Sequence, residues 1–169
     1  LYIQKIGGCF VCKVFDLNSL VSLKLIYLLC ILYEDVYITK PLTSRPANSE
    51  KYLVAKNFKG VDEGYVNNLH EIILKWNEYD HRKLYVNDLF KNVLHPKFIF
   101  TMNLFNNIMT IQQINHLKKT LQFIKIMQDN QYELDQIGNA INWCNKYGVE
   151  INKDCKHYQI YQSQADDTL

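Results

Sequence analysis

Gly7-Gly8-Cys9-Phe10-Val11-Cys12-Lys13-Val14-Phe15-Asp16 decides how the rest of this chain is read. From Cys9 to Phe15 the run is nearly continuous in apolar residues and rich in Val and Phe. That is the pattern of a central parallel strand covered on both faces. Leu1-Tyr2-Ile3-Gln4-Lys5-Ile6 before it reads as the last turns of an amphipathic helix, with Gly7-Gly8 as the left-handed stop. A domain seldom starts by ending a helix, so the chain is expected to be the C-terminal part of a longer protein. Lys13 is the costly residue of the strand, because a buried ammonium must find a partner or lose its charge. Glu50, inside Ser44-Arg45-Pro46-Ala47-Asn48-Ser49-Glu50-Lys51-Tyr52, is the candidate partner.

Working outward, Asn18 or Ser19 can cap a helix running to about Tyr33. Leu17 to Tyr33 is apolar enough to resemble a membrane span. It is shorter than the roughly 20 residues a bilayer needs, and Lys24 interrupts it, so a buried helix is expected and no membrane partner. No signal-peptide pattern is present. Val36-Tyr37-Ile38-Thr39 reads as a second strand ended by Pro41, and Tyr52-Leu53-Val54-Ala55 as a third. Strand, helix, strand implies parallel first and second strands. The third follows a loop too short for a crossover helix and should run back antiparallel. Lys13, the loop Lys40 to Ser49, and Glu50 then share one sheet edge, the edge at which open α/β sheets bind ligands. A lysine held there by a carboxylate is either a general base or electrostatic anchor, or a structural ion pair. Residue types alone do not choose between them.

Beyond Gly60 the character changes to helix. Leu69, Ile72, Ile73 and Trp76 recur at helical spacing, and Val86, Leu89, Phe90 and Val93 repeat the pattern. Pro96 can open a long helix to about Met127, bearing Phe98, Met102, Phe105 and Met109 as core positions. A last helix spans Tyr132 to Tyr147 and stops at Gly148, and the polar end from Ile151 is expected to fray. The division is therefore 1–60, an α/β part; 61–148, a helical extension; and 149–169, a polar tail.

With 169 residues, 48% hydrophobic and 21% charged, the composition is that of a folded globular chain. A net charge of +2 excludes a polycation. Locally, Lys40, Arg45, Lys51, Lys56 and Lys59 face only Glu50, a balance suited to a phosphate-bearing partner. Five scattered cysteines point to reduced thiols in a reducing intracellular compartment. Cys9 and Cys12, three apart, would face opposite sides of a strand. Structural thiols are expected, and no metal site.

The strand Gly7 to Asp16 resembles the "GG-x-FV-x-K-x-FD" element of the FtsJ-like (RrmJ-type) RNA 2′-O-methyltransferases. Lys40-Pro41 with Ser44 to Tyr52 resembles that family's "KP-x-x-SR-x-x-SE-x-Y" block, and Pro46-Ala47-Asn48 points to the branch acting on capped mRNA. The Lys- and Asn-rich character also resembles relatives encoded by large DNA viruses. The resemblance covers residues 1 to about 60, with Trp143 to Gly148 similar to a helix ending late in such proteins. It implies the C-terminal part of a Rossmann-like methyltransferase sheet, transfer of methyl from S-adenosylmethionine to a ribose 2′-hydroxyl of capped mRNA or other RNA, and a Lys-Asp-Lys-Glu tetrad. Lys13 corresponds to its second lysine and Glu50 to its glutamate. Ser44, Arg45, Asn48, Ser49 and Lys51 are the expected RNA-contacting positions. The tetrad's other members and the glycine-rich donor loop lie N-terminal to Leu1 in that family. No G-x-G loop after a strand occurs in these residues. The alternative is a truncated, inactive RNA-binding or subunit-interaction module, with the helical extension or an exposed sheet edge as the surface for a protein partner.

Overall fold

The computed structural model describes residues 3–81, 85–126 and 130–166. Along the chain come β1 (Phe10–Val14), α1 (Leu20–Leu32), β2 (Tyr33–Thr39), β3 (Lys51–Phe58), α2 (Glu63–His81), α3 (Pro96–Ile126), α4 (Asn130–Tyr147) and α5 (Lys156–Asp166). The fold is α/β, with a three-stranded sheet in the order β1-β3-β2. β3 pairs antiparallel with both neighbours, so β1 and β2 run in the same direction on either side of it.

That order corrects the expectation of a central, doubly covered β1. β3 is the middle strand and β1 lies at the edge of the described sheet. The register decides which side chains are covered. Cys12 and Val14 oppose Leu53 and Lys51, and Ile38 opposes Leu53, all on the face that α1 packs against. Lys13 opposes Tyr52 on the other face, where Val11 and Tyr37 are exposed. Side chains alternate along a strand, so neighbours in one apolar run meet opposite environments.

Ser19 caps α1, its hydroxyl accepting the Ser22 backbone N–H at 3.1 Å. The helix is apolar nearly all round, which suits burial rather than a surface stripe. It passes directly into β2, and the Tyr33 N–H still donates to the Leu29 carbonyl. Lys24, buried in this helix, donates to the Phe90 carbonyl and pairs with Asp88. Leu17, Leu23, Ile26, Leu53, Leu94 and Met102 form one core cluster. Leu28, Leu32, Tyr33, Ala55 and Phe58 form a second, with Ala55 fully inaccessible at 0%.

Three further expectations are corrected. Residues 3–9 form turns, not a helix end, while Leu1 and Tyr2 lie outside the described residues. The reason is visible in the backbone: the Gly7 N–H donates to the Phe58 carbonyl at 2.8 Å and the Phe58 N–H to the Gly8 carbonyl at 3.0 Å. Gly7 has φ +78°, and a Cβ on Gly8 would lie 2.8 Å from the Lys5 carbonyl oxygen, so both glycines are required by this turn. Residues 85–95 are irregular despite the spacing of Val86, Leu89, Phe90 and Val93. Asp88 takes the Leu89 N–H, Lys24 takes the Phe90 carbonyl, and Pro96 disfavours helix at its predecessor. Within the expected polar tail, α5 is helical up to Asp166. Its His157 bonds Glu133 of α4 at 2.8 Å, and its Tyr161 ring packs where Gly138 leaves room.

Pro96 opens α3, with the Lys97 N–H donating to His95 Nδ1 at 3.2 Å, and α4 stops at Gly148 (φ +64°) with Val149 N–H on the Cys144 carbonyl. The expected end of α3 at Met127 falls outside the described residues. Two compact units result: Leu1–Lys40 with Ser49–Thr110, and Pro41–Asn48 with Ile111–Leu169. Among the described residues no helix is long and apolar enough to cross a membrane, and no cluster of three His, Cys, Asp or Glu could hold a metal ion.

Candidate active site

The C-terminal ends of β1 and β2 and the start of β3 lie along one sheet edge, because β3 runs against both. Tyr52 occupies the centre of that edge, paired with Lys13 on one side and Thr39 on the other. Glu50 precedes it by two residues. The Lys13 ammonium lies 3.4 Å from Glu50 Oε2 and 5.3 Å from the centroid of the Phe15 ring. Glu50 Oε1 accepts the Tyr52 hydroxyl at 2.8 Å. The Lys40 ammonium donates to the Glu50 backbone carbonyl at 3.0 Å. Glu50 is thus held from three directions, with Lys13 as the member that reaches solvent.

Burial differs across the pair. The Lys13 side chain is 49% exposed and Glu50 is 19% exposed. The expectation of a buried Lys13 is therefore corrected: an edge strand with one open face leaves its ammonium accessible. Lys51 is the buried lysine here, donating to the Phe15 carbonyl at 3.1 Å and the Ser49 carbonyl at 2.8 Å. Its charge braces the start of β3 against the end of β1 and is not presented to a ligand. Ser49 contributes its carbonyl to that brace.

The Tyr52 hydroxyl, then the charge and hydrogen bond of Lys13, hold the Glu50 carboxyl below the usual carboxylate range. The same bond raises the Tyr52 phenol. Burial pushes Lys40 down, and the like charge of Lys51 adds to it while Glu50 opposes. The sign follows: with its folded pKa depressed, Glu50 keeps its charge and its pairing until the pH falls through that lowered value. Tyr52→Phe removes the largest cause, so the Glu50 titration should move up toward the ordinary carboxylate range. A carbon-detected NMR titration of Glu50 checks this; an unmoved midpoint would show that the phenol is not its main partner.

Ser44, Arg45 and Asn48 belong to the second unit. The loop there is built from two turns, Ser44 N–H to the Pro41 carbonyl at 3.0 Å and Asn48 N–H to the Arg45 carbonyl at 3.3 Å. The Ala47 carbonyl accepts Gln113 Nε2 of α3 at 3.1 Å. Arg45 is exposed. Tyr52 and Lys40 belong to the Glu50 constellation although residue types alone do not single them out. The signal for Tyr52 is its spacing of two from Glu50 on a strand, which puts both on one face.

Residues 3–58 match the model of the FtsJ-like methyltransferase family. Over 161 residues the chain is 34% identical to cap-specific mRNA (nucleoside-2′-O-)-methyltransferase 1A of Caenorhabditis briggsae, covering 90% of this chain and 18% of that protein. It is 35% identical over 162 residues to cap-specific mRNA (nucleoside-2′-O-)-methyltransferase 1 of Caenorhabditis elegans, 90% of this chain and 17% of the relative. Against the Bos taurus protein of that name identity rises to 53% over 64 residues, 37% of this chain and 8% of the relative. The chain spans less than a fifth of the length of these relatives.

Proposed function

We propose that this chain, whose residues 3–58 match the FtsJ-like methyltransferase family model, is part of a cap-specific RNA 2′-O-methyltransferase and that Lys13 and Glu50 serve its acceptor side. The single observation that carries the reading is the 3.4 Å pair at the sheet edge, with its carboxylate fixed by Tyr52 and its ammonium open to solvent. The three strands fit a segment of a Rossmann-like methyltransferase sheet, with residues 1–60 as the catalytic part, 61–148 as a helical extension and 149–169 as a tail.

A ribose 2′-hydroxyl is a poor nucleophile. An ammonium within one hydrogen bond of its oxygen steadies the negative charge that develops there as the proton leaves for solvent. Glu50 sets the position of Lys13 Nζ, and Tyr52 sets the position of Glu50. A structural ion pair would need none of this exposure. Capped RNA is the substrate we assign, by analogy with what the relatives are named for.

S-adenosylmethionine is the methyl donor that the family implies. Among the described residues, the adjacent glycines Gly7 and Gly8 spend backbone groups on Phe58 and Lys5 and form no donor loop. That same observation favours a second reading, an inactive RNA-binding or subunit-interaction module. The test is methyl transfer by the longest reading frame containing this chain, offered capped RNA with either a ribose or a 2′-deoxyribose at the acceptor position. Incorporation into the ribose substrate alone is expected; no transfer to either would favour the inactive module.

A further inference from the structure

The second half of α3, which lies in the second unit, is built inside out. Ile111, Ile114, Leu117, Leu121 and Ile124 are between 45% and 67% exposed. Among the described residues between them, the half-buried ones are Gln113, His116 and Thr120, all polar. These bond within their own unit: Gln113 Nε2 donates to the Ala47 carbonyl at 3.1 Å, and the Thr120 hydroxyl to the His116 carbonyl at 3.0 Å. A surface helix ordinarily turns its apolar stripe inward and its polar face to water. Here the aliphatic row faces out, and an exposed apolar patch of a few hundred Å² is the size that marks an interaction site on a soluble protein.

Spacing narrows the occupant. Ile114, Leu117, Leu121 and Ile124 recur at steps of three, four and three, the a/d spacing by which one helix receives another, and Ile111 continues the row at its N-terminal end. A repeat near 3.5 residues keeps such a row on one narrow seam when two helices wind round each other. The side chains are aliphatic, so they offer knobs to a partner helix and no ring on which a nucleic-acid base could stack. A helix that lies on a membrane needs its polar side in water, whereas Gln113, His116 and Thr120 are half-buried in their own unit. Charge narrows the choice further. Lys118 and Lys125 are exposed, seven residues apart, and stand beside the seam at the flanking position where coiled-coil helices select partners by charge. From Pro96 to Ile126, α3 carries four lysines and no Asp or Glu. A second copy of α3 would bring no carboxylate to meet them; a helix with acidic flanks would.

We propose that Ile111 to Ile124 of α3 is a docking seam for an acidic amphipathic helix of a protein partner, with the partner's apolar residues on the aliphatic row and its carboxylates on Lys118 and Lys125. The seam is independent of the methyl-transfer reading, so failure of either leaves the other standing. The probe is a synthetic helix of about three heptads with Leu at a and d and Glu at e and g, whose like charges oppose its own pairing; its twin carries Lys at e and g. Binding of each to the 169-residue chain is measured by fluorescence anisotropy. The Glu peptide should bind, and the Lys peptide should bind about tenfold or more weakly. Leu117→Ala with Leu121→Ala keeps good helix formers at exposed positions; it should weaken the Glu peptide about a hundredfold with an unchanged circular dichroism spectrum. Lys118→Glu with Lys125→Glu should reverse the preference between the two peptides. No binding of the Glu peptide, or equal binding of both, would overturn the proposal. So would a dimer of the chain in sedimentation, or attachment to phosphatidylserine vesicles, that the paired leucine changes abolish: the first would assign the seam to a second copy, the second to a membrane.

Discussion

Lys13→Ala should reduce methyl transfer to a capped RNA to a few per cent or less while leaving donor binding nearly intact. The size follows from the role. Removing a group that manages the proton or the charge at a reacting oxygen costs on the order of 10² to 10⁴ in rate. Position argues that the loss would be chemical and not a consequence of unfolding. The Lys13 side chain is half-exposed on an edge strand and contributes to neither core cluster. Its ion pair with Glu50 is partly solvated, where such pairs contribute little to stability. The variant should therefore melt within about two degrees of the parent. The loss should fall on kcat, because an interaction realised at the reacting oxygen differs from uniform substrate binding. Retention of more than about a tenth of the activity would remove Lys13 from the centre of the site.

Leu53→Ala should destabilise the first unit by about 2–5 kcal/mol, the usual cost of emptying a fully buried leucine position. Leu53 is 6% exposed, sits in the middle strand of the sheet, and packs with Leu17, Leu23, Ile26, Leu94 and Met102. A domain's whole stability is about 5–15 kcal/mol, so the change consumes a large share of it. Urea unfolding should show a lower midpoint at an unchanged slope. Val54→Ala is the internal control, because its side chain stands on the opposite face and is only partly buried. An equal loss from both would mean that the buried face of β3 has been assigned wrongly. The site would suffer too, since Glu50 and Tyr52 enter β3 just ahead of Leu53.

Much of this arrangement was legible in the residues. Phe10 to Val14 declared a strand, Ser19 a helix start, Pro96 and Gly148 the limits of long helices, and the short loop before Lys51 an antiparallel return. Those signals are local, carried by β-branched runs, caps and glycines. The shared edge of Lys13 and Glu50 followed from strand directions alone. Insertion of β3 between β1 and β2 was not legible, because directions do not state which strands are neighbours. Nor was the exchange of roles between Lys13 and Lys51. Lys13 sits in an apolar run and Lys51 beside Glu50 and Tyr52, and only the pairing of Val14 with Lys51 and Lys13 with Tyr52 puts Lys51 inward and Lys13 outward. The segment 85–95 failed for a different reason: its apolar spacing is helical, but tertiary bonds from Lys24 to Phe90 and Asp88 outweigh that preference.

The central claim is that Lys13 and Glu50 act as one unit on the acceptor ribose, and a double-mutant cycle tests it most directly. Methyl transfer is measured for the parent, Lys13→Ala, Glu50→Ala and the double variant, all in the longest reading frame that holds this chain. If Glu50 works by positioning Lys13, removing it after Lys13 is gone should cost almost nothing further, and the double variant should match Lys13→Ala. Losses that multiply, so that the double variant falls by the product of the two single effects, would contradict it.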